Sequence, residues 1–191
     1  MGKIAGFLTG RLLVYNLIEE SEQELYQYGL ERLLSKLVNY STFLVVAFCI
    51  GKVIPTVLFL SFLFLLRGRT GGYHASTELR CFVSSLAIYV AMMEWGIPLL
   101  VQHSIGKWFA FGIAIVIILM WAPVNHPNVD FSTEELAQYR LRVRRVLVLE
   151  SGLILLMHML QIREEYIASA ISAVMVCSIL VSLAKITKQE V

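Results

Sequence analysis

Residues 33–66 read LLSKLVNYSTFLVVAFCIGKVIPTVLFLSFLFLL, an almost continuous apolar run with interruptions at Gly51-Lys52 and Pro55. A membrane-spanning helix needs about 20 residues, with a range of about 17–25. A single span over residues 41–66 would bury Lys52 near the middle of the membrane, at a cost of about 3 kcal/mol or more. We therefore predict two short spans, residues 33–50 and 53–66, with Lys52 at the turn between them.

The composition of the whole chain is that of an integral membrane protein. Of its 191 residues, 58% are hydrophobic and 16% are charged, and the mean hydropathy is +0.72. Soluble domains have about 45–50% apolar and about 25% charged residues. The composition therefore excludes a soluble enzyme or a nucleic-acid-binding module. It predicts an all-α membrane bundle that forms a single domain over residues 1–191.

Four further apolar segments follow the first two, at residues 82–101, 105–121, 146–162 and 166–186. Gly96-Ile97-Pro98 is expected to kink or end the first of these, because proline cannot continue the hydrogen-bond ladder of a helix. The sequence thus predicts a bundle of six transmembrane helices within residues 33–186. The second and fourth spans are the shortest.

Residues 1–32 have an amphipathic pattern instead. Ile4, Leu8, Leu12 and Tyr15 recur at helical spacing, and the acidic stretch 19–24 separates them from a second amphipathic piece over residues 25–36. A helix lying in the membrane interface fits this pattern. A helix packed against the bundle from the cytosol fits equally well.

The distribution of lysine and arginine predicts the orientation of the bundle. With six spans and a cytosolic N-terminus, only Lys52, Lys107 and Arg163 fall in outside turns, and the other thirteen of the sixteen face the cytosol. Because cytosolic loops carry the excess of Lys and Arg, we predict that both termini are cytosolic. A five-span arrangement would put the basic N-terminal region outside.

Cys81 stands apart from the other two cysteines because of its neighbours. Cys49 and Cys177 lie in apolar runs, where cysteine is usually a small buried hydrophobe. Cys81 follows His74 by seven residues in the stretch RGRTGGYHASTELRC, residues 67–81. A base, a thiol and positive charge are the components of a cysteine nucleophile. The predicted orientation puts them in the cytosol, which keeps thiols reduced.

The spacing of His74 and Cys81 restricts how the two side chains meet. On one straight helix they would lie about 10 Å apart along the axis, whereas direct proton transfer needs about 2.6–3.2 Å. A catalytic pair therefore requires His74 to lie on a folded-back loop, which glycines at positions 68, 71 and 72 permit through positive φ angles. The alternative is structural: a hydrogen-bonded histidine and a small packing cysteine.

The segment between the glycines and Cys81 has the pattern of a helix start. Ser76 or Thr77 is expected to cap the helix, with Glu78 in its first turn. Cys81 then lies about one turn inside the helix, where the helix dipole and Arg80 favour a thiolate.

The motif RGRTGGYHA followed by Cys81 resembles the signature of the accessory gene regulator B (AgrB) family. The chain length, the six apolar segments, the amphipathic N-terminus and the APVNHP loop at residues 122–127 are also similar, so the resemblance covers nearly the whole chain. The family consists of membrane cysteine endopeptidases that process quorum-sensing peptide precursors in Gram-positive bacteria. The resemblance implies that Cys81 is the nucleophile and His74 the general base, with no metal or cofactor, in the cell membrane.

The resemblance also implies a substrate and a reaction. The substrate is a short precursor peptide with an amphipathic leader, a central signal sequence and an acidic C-terminal tail. Cys81 attacks the carbonyl before the tail and forms a thioester, which a cysteine or serine of the substrate then displaces to close a thiolactone or lactone. Membrane lipids are the other expected partner, nucleic acid is not expected, and a homodimer is left open.

Other residues have weaker assignments. Glu78 either orients His74 or belongs to the helix cap, and Asn125 and His126 are candidates for a third catalytic member. A group of arginines either receives the acidic tail of the substrate or only sets the topology: Arg67, Arg69, Arg80, Arg142, Arg144 and Arg145.

Three other functions are weaker alternatives. A purely structural membrane adaptor would leave the clustered glycines and the pair of His74 and Cys81 unexplained. A small-solute transporter or channel would need ionisable groups within the spans, and only Glu94 and His158 are good candidates. A membrane glutamate protease is less favoured because Glu164-Glu165 is not followed by arginine.

Overall fold

The computed structural model describes residues 2–73, 77–124 and 133–187, which form helices joined by short connections. The helices in chain order are α1 (Gly2–Val14), α2 (Gln23–Cys49), α3 (Val53–Thr70), α4 (Glu78–Ala91), α5 (Ile97–Gln102), α6 (Ser104–Trp121), α7 (Thr133–Met159) and α8 (Glu164–Ile186). Five helical segments are long and apolar enough to cross a membrane: residues 20–49, 53–70, 79–102, 104–121 and 164–186. The protein is therefore an all-α membrane protein, as predicted.

The chain divides into two compact units, of which the first covers residues 1–51. Within it, α1 packs against α2, and a 3-10 turn at Glu20–Glu22 leads into α2. The predicted boundary at residue 33 between an amphipathic piece and a first span falls inside α2, which is continuous from Gln23 to Cys49, and it stays a prediction. Residues 30–49 contain no glycine or proline that would break the helix.

The predicted break at Gly51-Lys52 is confirmed. Gly51 has a φ of +71°, and α3 begins immediately after Lys52. The Lys52 ammonium donates to the backbone oxygen of Met93 at 2.5 Å and to Glu94 at 3.1 Å. At its other end, α3 continues four residues past the predicted limit of Leu66, to Thr70.

The segment around Pro98 distorts the helix and does not end it. A π-helical stretch at Met92–Gly96 joins α4 to α5, and the helical segment continues to Gln102. Pro98 cannot donate a backbone hydrogen bond to the preceding turn, and such irregular turns accommodate the missing bond. A kink or an end was predicted at residues 96–98, and the structure has a π-helical turn there, inside one long helical segment.

Helix α8 is the central helix of the second unit, residues 52–191. It packs mainly against α3 and α6, and also against α5 and α7, and nearly every residue from Ile167 to Ser178 is buried. Its buried face is rich in alanine and serine, small residues that allow close helix approach in membranes. The hydroxyls of Ser169, Ser172 and Ser178 donate to carbonyls of their own helix.

Contacts at the two ends of this unit fix the directions of its helices. At one end, the buried Lys107 near the start of α6 pairs with Glu164 at the start of α8. Lys107 therefore lies inside α6 and not in a connecting turn. At the other end, the Val124 N–H donates to the Thr70 oxygen at 2.8 Å, and the Tyr73 N–H donates to the Leu180 oxygen at 3.0 Å. The chain from Val124 to Glu164, which includes α7, therefore returns from one end to the other.

Helix α7 is not among the five segments with a membrane-spanning composition. Its 27 residues are about 40 Å long at 1.5 Å per residue, but its sequence carries Arg142, Arg144, Arg145 and Glu150. The sixth span at residues 146–162 stays a prediction.

Candidate active site

Cys81 lies in the first turn of α4. The side chain of Thr77 accepts a hydrogen bond from the Arg80 N–H at 3.2 Å and so caps the helix. The Cys81 N–H donates to the Thr77 carbonyl at 3.0 Å, and the side chain of Cys81 is partly exposed. The predicted helix start is confirmed with Thr77 as the cap. The other candidate, Ser76, lies outside the described residues.

The loop that follows α3 depends on two glycines with positive φ angles. Gly71 has a φ of +65° and Gly72 a φ of +127°. A β-carbon on Gly71 would lie 2.5 Å from the Val124 oxygen, and one on Gly72 would lie 1.9 Å from an Arg67 guanidinium nitrogen. The close approach of the Val124 backbone therefore requires glycine at position 71, and the positive φ angle favours glycine at position 72. Gly68 lies within α3, so its predicted part in this turn is wrong.

Arg67 holds this loop in place. Its guanidinium donates to the carbonyl oxygen of Gly71 and, at 2.5 Å, to that of Tyr73. Arg67 is thus engaged by the loop that leads to His74. These hydrogen bonds favour a role for Arg67 in holding the loop over the predicted role in binding the acidic tail of the substrate.

The loop is also attached to the central helix α8. The Tyr73 N–H binds the Leu180 oxygen, and the Thr70 hydroxyl lies 3.2 Å from the Cys177 sulfur, within hydrogen-bond distance. Cys177 is fully buried, which confirms its expected packing role. The same expectation is wrong for Cys49, whose side chain is exposed.

The predicted site includes residues outside the part of the chain that the structure describes. His74, Asn125 and His126 lie outside the described residues, as does the side chain of Glu78. The roles assigned to them stay predictions, and so does the proton transfer between His74 and Cys81.

The remaining arginines of the predicted site are exposed, in contrast to Arg67. Arg142 stacks over the Tyr139 ring, with its guanidinium carbon 5.2 Å from the ring centre. Exposure is compatible with binding an acidic peptide and also with setting the topology. The exposed group comprises Arg69, Arg80, Arg142, Arg144 and Arg145.

The residues of the alternative functions have local partners. Glu94 pairs with Lys52 at 3.1 Å, and His158 packs edge-to-face on Trp108 with ring centres 5.0 Å apart. Glu164, the first residue of the glutamate-protease alternative, pairs with Lys107. These contacts give each residue a structural role.

Sequence reasoning missed Glu150. Its side chain is fully buried, and neither carboxylate oxygen has a hydrogen-bond partner within the described part of the chain. A single acidic residue in the apolar segment 146–162 was a usable signal, because an ionisable group at membrane depth points to function.

These features define a polytopic α-helical membrane protein with a partly exposed cysteine at the capped start of a helix. The sequence model of the accessory gene regulator B (AgrB) family matches residues 2–183, and the chain belongs to this family. The family comprises membrane peptidases of the agr quorum-sensing system and is tied to the processing of a peptide precursor. No curated protein and no solved structure matches the chain.

Proposed function

We propose that this protein is a membrane cysteine endopeptidase that removes the C-terminal tail of a quorum-sensing peptide precursor and cyclises the product. The observation that carries the proposal is the setting of Cys81. It is a partly exposed thiol in the first turn of α4, a helix that the Thr77 side chain caps. The thiolate is the nucleophilic form of cysteine, and the start of a helix is a common position for reactive cysteines.

In the proposed reaction, His74 takes the proton of the Cys81 thiol, and the sulfur attacks the carbonyl carbon before the substrate tail. The carbon–nitrogen bond breaks, and the proton passes from His74 to the leaving amine, so that the tail departs with a free amino terminus. The substrate remains as a thioester on Cys81. A thiol or hydroxyl of the substrate then attacks this thioester, its proton returns to the Cys81 sulfur, and the ring closes without consuming water.

The tetrahedral intermediates need hydrogen-bond donors for their oxyanion. The Arg80 and Cys81 N–H groups are already bound to Thr77. We therefore expect the donors to be backbone N–H groups that precede Arg80 in the chain, between Tyr73 and the start of α4. A site at the membrane edge excludes water and so protects the thioester from hydrolysis.

Chain connectivity supports a role for His74 next to this thiol. His74 directly follows Tyr73, whose N–H binds Leu180 and whose carbonyl binds Arg67. Only three residues separate Tyr73 from Thr77, the cap of the helix that carries Cys81. Both flanks of the His74 segment are thus attached to ordered helices.

The proposed topology has six spans with the site and both termini in the cytosol of a Gram-positive bacterium. The positive-inside distribution of Lys and Arg supports it. The path of α7 supports it too, because the chain runs from the Val124 end of the second unit to the Glu164 end between two segments of spanning composition. The exposed Arg142, Arg144 and Arg145 then lie on the cytosolic part of α7, where they are proposed to bind the acidic tail.

The test is mass spectrometry of a candidate precursor co-expressed with the wild-type protein. The expected product lacks the tail and is lighter by one water than the linear truncated peptide. The Cys81→Ser and His74→Ala proteins should give neither the cyclic nor the linear truncated peptide. Both variants should still insert normally into the membrane. Cys49→Ser is the matched thiol control and should behave as wild type. Normal processing by Cys81→Ser would remove Cys81 as the essential thiol, and a linear product would restrict the activity to proteolysis.

A further inference from the structure

The Met93 carbonyl, in the π-helical turn between α4 and α5, has no donor in its own helix. In a regular α-helix the N–H of residue 97 would bind it, but the Ile97 N–H donates to the Met92 carbonyl instead. In the π-helical register its partner would be residue 98, which is Pro98 and has no N–H. Because backbone groups of a membrane protein need a partner within the protein, another segment has to supply the donor.

The Lys52 ammonium is this donor. Lys52 directly precedes α3, and its Nζ lies 2.5 Å from the Met93 oxygen and 3.1 Å from the Glu94 carboxylate. The Lys52 side chain is 24% exposed and that of Glu94 is 42% exposed. An ion pair with an exposed partner contributes little, whereas a charge-assisted hydrogen bond to a carbonyl without another donor is strong. The bond to Met93 is therefore the contact that restrains the turn.

The part of α4 next to this turn is the part that packs into the second unit. Tyr89 and Met93 are 1% and 0% exposed, and the Tyr89 hydroxyl lies 2.7 Å from that of Thr56 in the first turn of α3. In contrast, every residue from Leu79 to Ile88 is partly or largely exposed. Burial therefore fixes the direction of α4 at the end away from Cys81.

A small change of angle at the turn becomes a large movement at Cys81. Cys81 precedes Met93 by twelve positions, or about 18 Å at a rise of about 1.5 Å per residue. A rotation of about 10° at the turn therefore moves the start of α4 by about 3 Å. A displacement of about 1 Å from the reactive geometry can lower a rate about 100-fold.

We propose that Lys52 is a positioning residue for Cys81 and that it acts through the Met93 carbonyl. Its ammonium takes the place of the N–H that Pro98 lacks, and it thereby fixes the π-helical turn and the direction of α4. The effect on the reaction rests on the proposed function, whereas the effect on the position of Cys81 does not. In the proposed topology, a lysine at the outer face of the membrane thus sets the geometry of a cytosolic nucleophile.

Distances between two spin labels test the position of Cys81 without using enzymatic activity. One nitroxide is attached to Cys81 and the other to Leu183→Cys, an exposed position on α8. The full-length protein carries Cys49→Ser and Cys177→Ser, so that no other thiol reacts, and it is measured in lipid nanodiscs. The distance between the labels then reports the direction of α4 relative to α8.

A double-mutant cycle isolates the bond to the Met93 carbonyl. Lys52→Met should shift or broaden the label distance by about 3 Å. In a Pro98→Ala background the same change should have no effect, because residue 98 then offers an N–H to the turn, and any effect of the alanine itself cancels in the comparison. An unchanged distance in Lys52→Met, or an equal shift in both backgrounds, would overturn the proposal.

Two further comparisons make the test specific. Glu94→Gln removes the ion pair but leaves the bond from Lys52 to Met93, so its label distance should match that of the wild type. A shift in Glu94→Gln as large as that in Lys52→Met would assign the effect to the ion pair and refute the role of the carbonyl. If Lys52→Met alone does not insert into the membrane, Pro98→Ala should restore insertion, and a double variant that also fails would contradict the proposal.

The activity measurement uses the same cycle on unlabelled protein. For tail release, the kcat of Lys52→Met should fall at least about tenfold, with the KM for the precursor changed less than about twofold, because only the reactive geometry is lost. Pro98→Ala should abolish most of this fall. A normal kcat in a Lys52→Met protein whose label distance has shifted would overturn the effect on the reaction. Absence of product from the wild type would instead overturn the proposed function, and the label distances would still decide whether Lys52 positions Cys81.

Discussion

Replacing Gly72 with alanine should release the loop that precedes His74. Gly72 has a φ of +127°, a conformation that residues with a side chain rarely adopt. The new β-carbon would lie 1.9 Å from an Arg67 guanidinium nitrogen and 3.2 Å from the backbone carbon of Leu180. The arginine side chain is the group that can move, and its movement breaks its hydrogen bonds to the loop carbonyls.

The size of the effect follows from two contributions. A residue forced into a disfavoured backbone region costs about 1–3 kcal/mol. Loss of one charge-assisted hydrogen bond, such as that from Arg67 to Tyr73, costs about 1.5–3 kcal/mol. The lower limits together give about 2.5 kcal/mol, which reduces the population of the held loop about 70-fold. Precursor processing should fall by a similar factor, while the helical bundle stays folded.

The assay is the initial rate of tail release from a purified precursor by protein in nanodiscs, with helical content measured by circular dichroism. Gly68→Ala is the matched control, because Gly68 belongs to the same motif but has open space around it and lies inside α3. Alanine is favoured over glycine in a helix by about 1 kcal/mol, so this variant should stay active. A Gly72→Ala protein that retains more than about a third of wild-type activity would refute the reasoning.

Three other substitutions have defined outcomes. Thr77→Ala removes the cap of α4 and should weaken its first turn by about 1 kcal/mol, lowering the rate about fivefold; Thr77→Ser should restore it, and an unchanged rate in Thr77→Ala would mean that the cap does not position Cys81. Glu164→Gln should lower the thermal midpoint more than Lys107→Met, because it leaves a buried cation unpaired, whereas Glu164 is partly exposed; the opposite order would contradict the geometry of this pair. The third change replaces three exposed arginines of α7 with glutamine: Arg142, Arg144 and Arg145. It should slow the processing of an acidic-tailed precursor, with weaker effects at high salt. An equal loss with a neutral-tailed precursor would point to folding or topology instead.

The environment of Cys81 is largely predictable from the sequence because its determinants are local. A threonine four residues before the cysteine and an apolar run after it define a helix start, and the structure has that start at Thr77 and Glu78. The break at Gly51-Lys52 is predictable for a similar reason, since a charged residue next to a glycine is poorly tolerated inside a span. In both places the deciding residues are neighbours in the chain.

The features that escape prediction depend on contacts between distant segments. Arg67 looks like a substrate-binding cation in the sequence, but its guanidinium is occupied by the carbonyls of Gly71 and Tyr73. Glu150 looks like part of an ordinary apolar span, and only the packing of α7 shows that its side chain is fully buried, with no hydrogen-bond partner among the described residues. The hydrogen bond from Tyr73 to Leu180 joins residues more than a hundred positions apart, and no local sequence pattern predicts it.

That long-range bond has a consequence for the synthesis of the protein. The loop before His74 emerges from the ribosome well before α8, yet it is fixed through the carbonyl of Leu180 near the C-terminal end of that helix. A nascent chain that has inserted everything up to α7 still lacks the helix on which this loop is aligned. The proposed peptidase site is therefore completed only when α8 enters the membrane, and we expect a ribosome-bound or prematurely terminated chain to be unable to process a precursor.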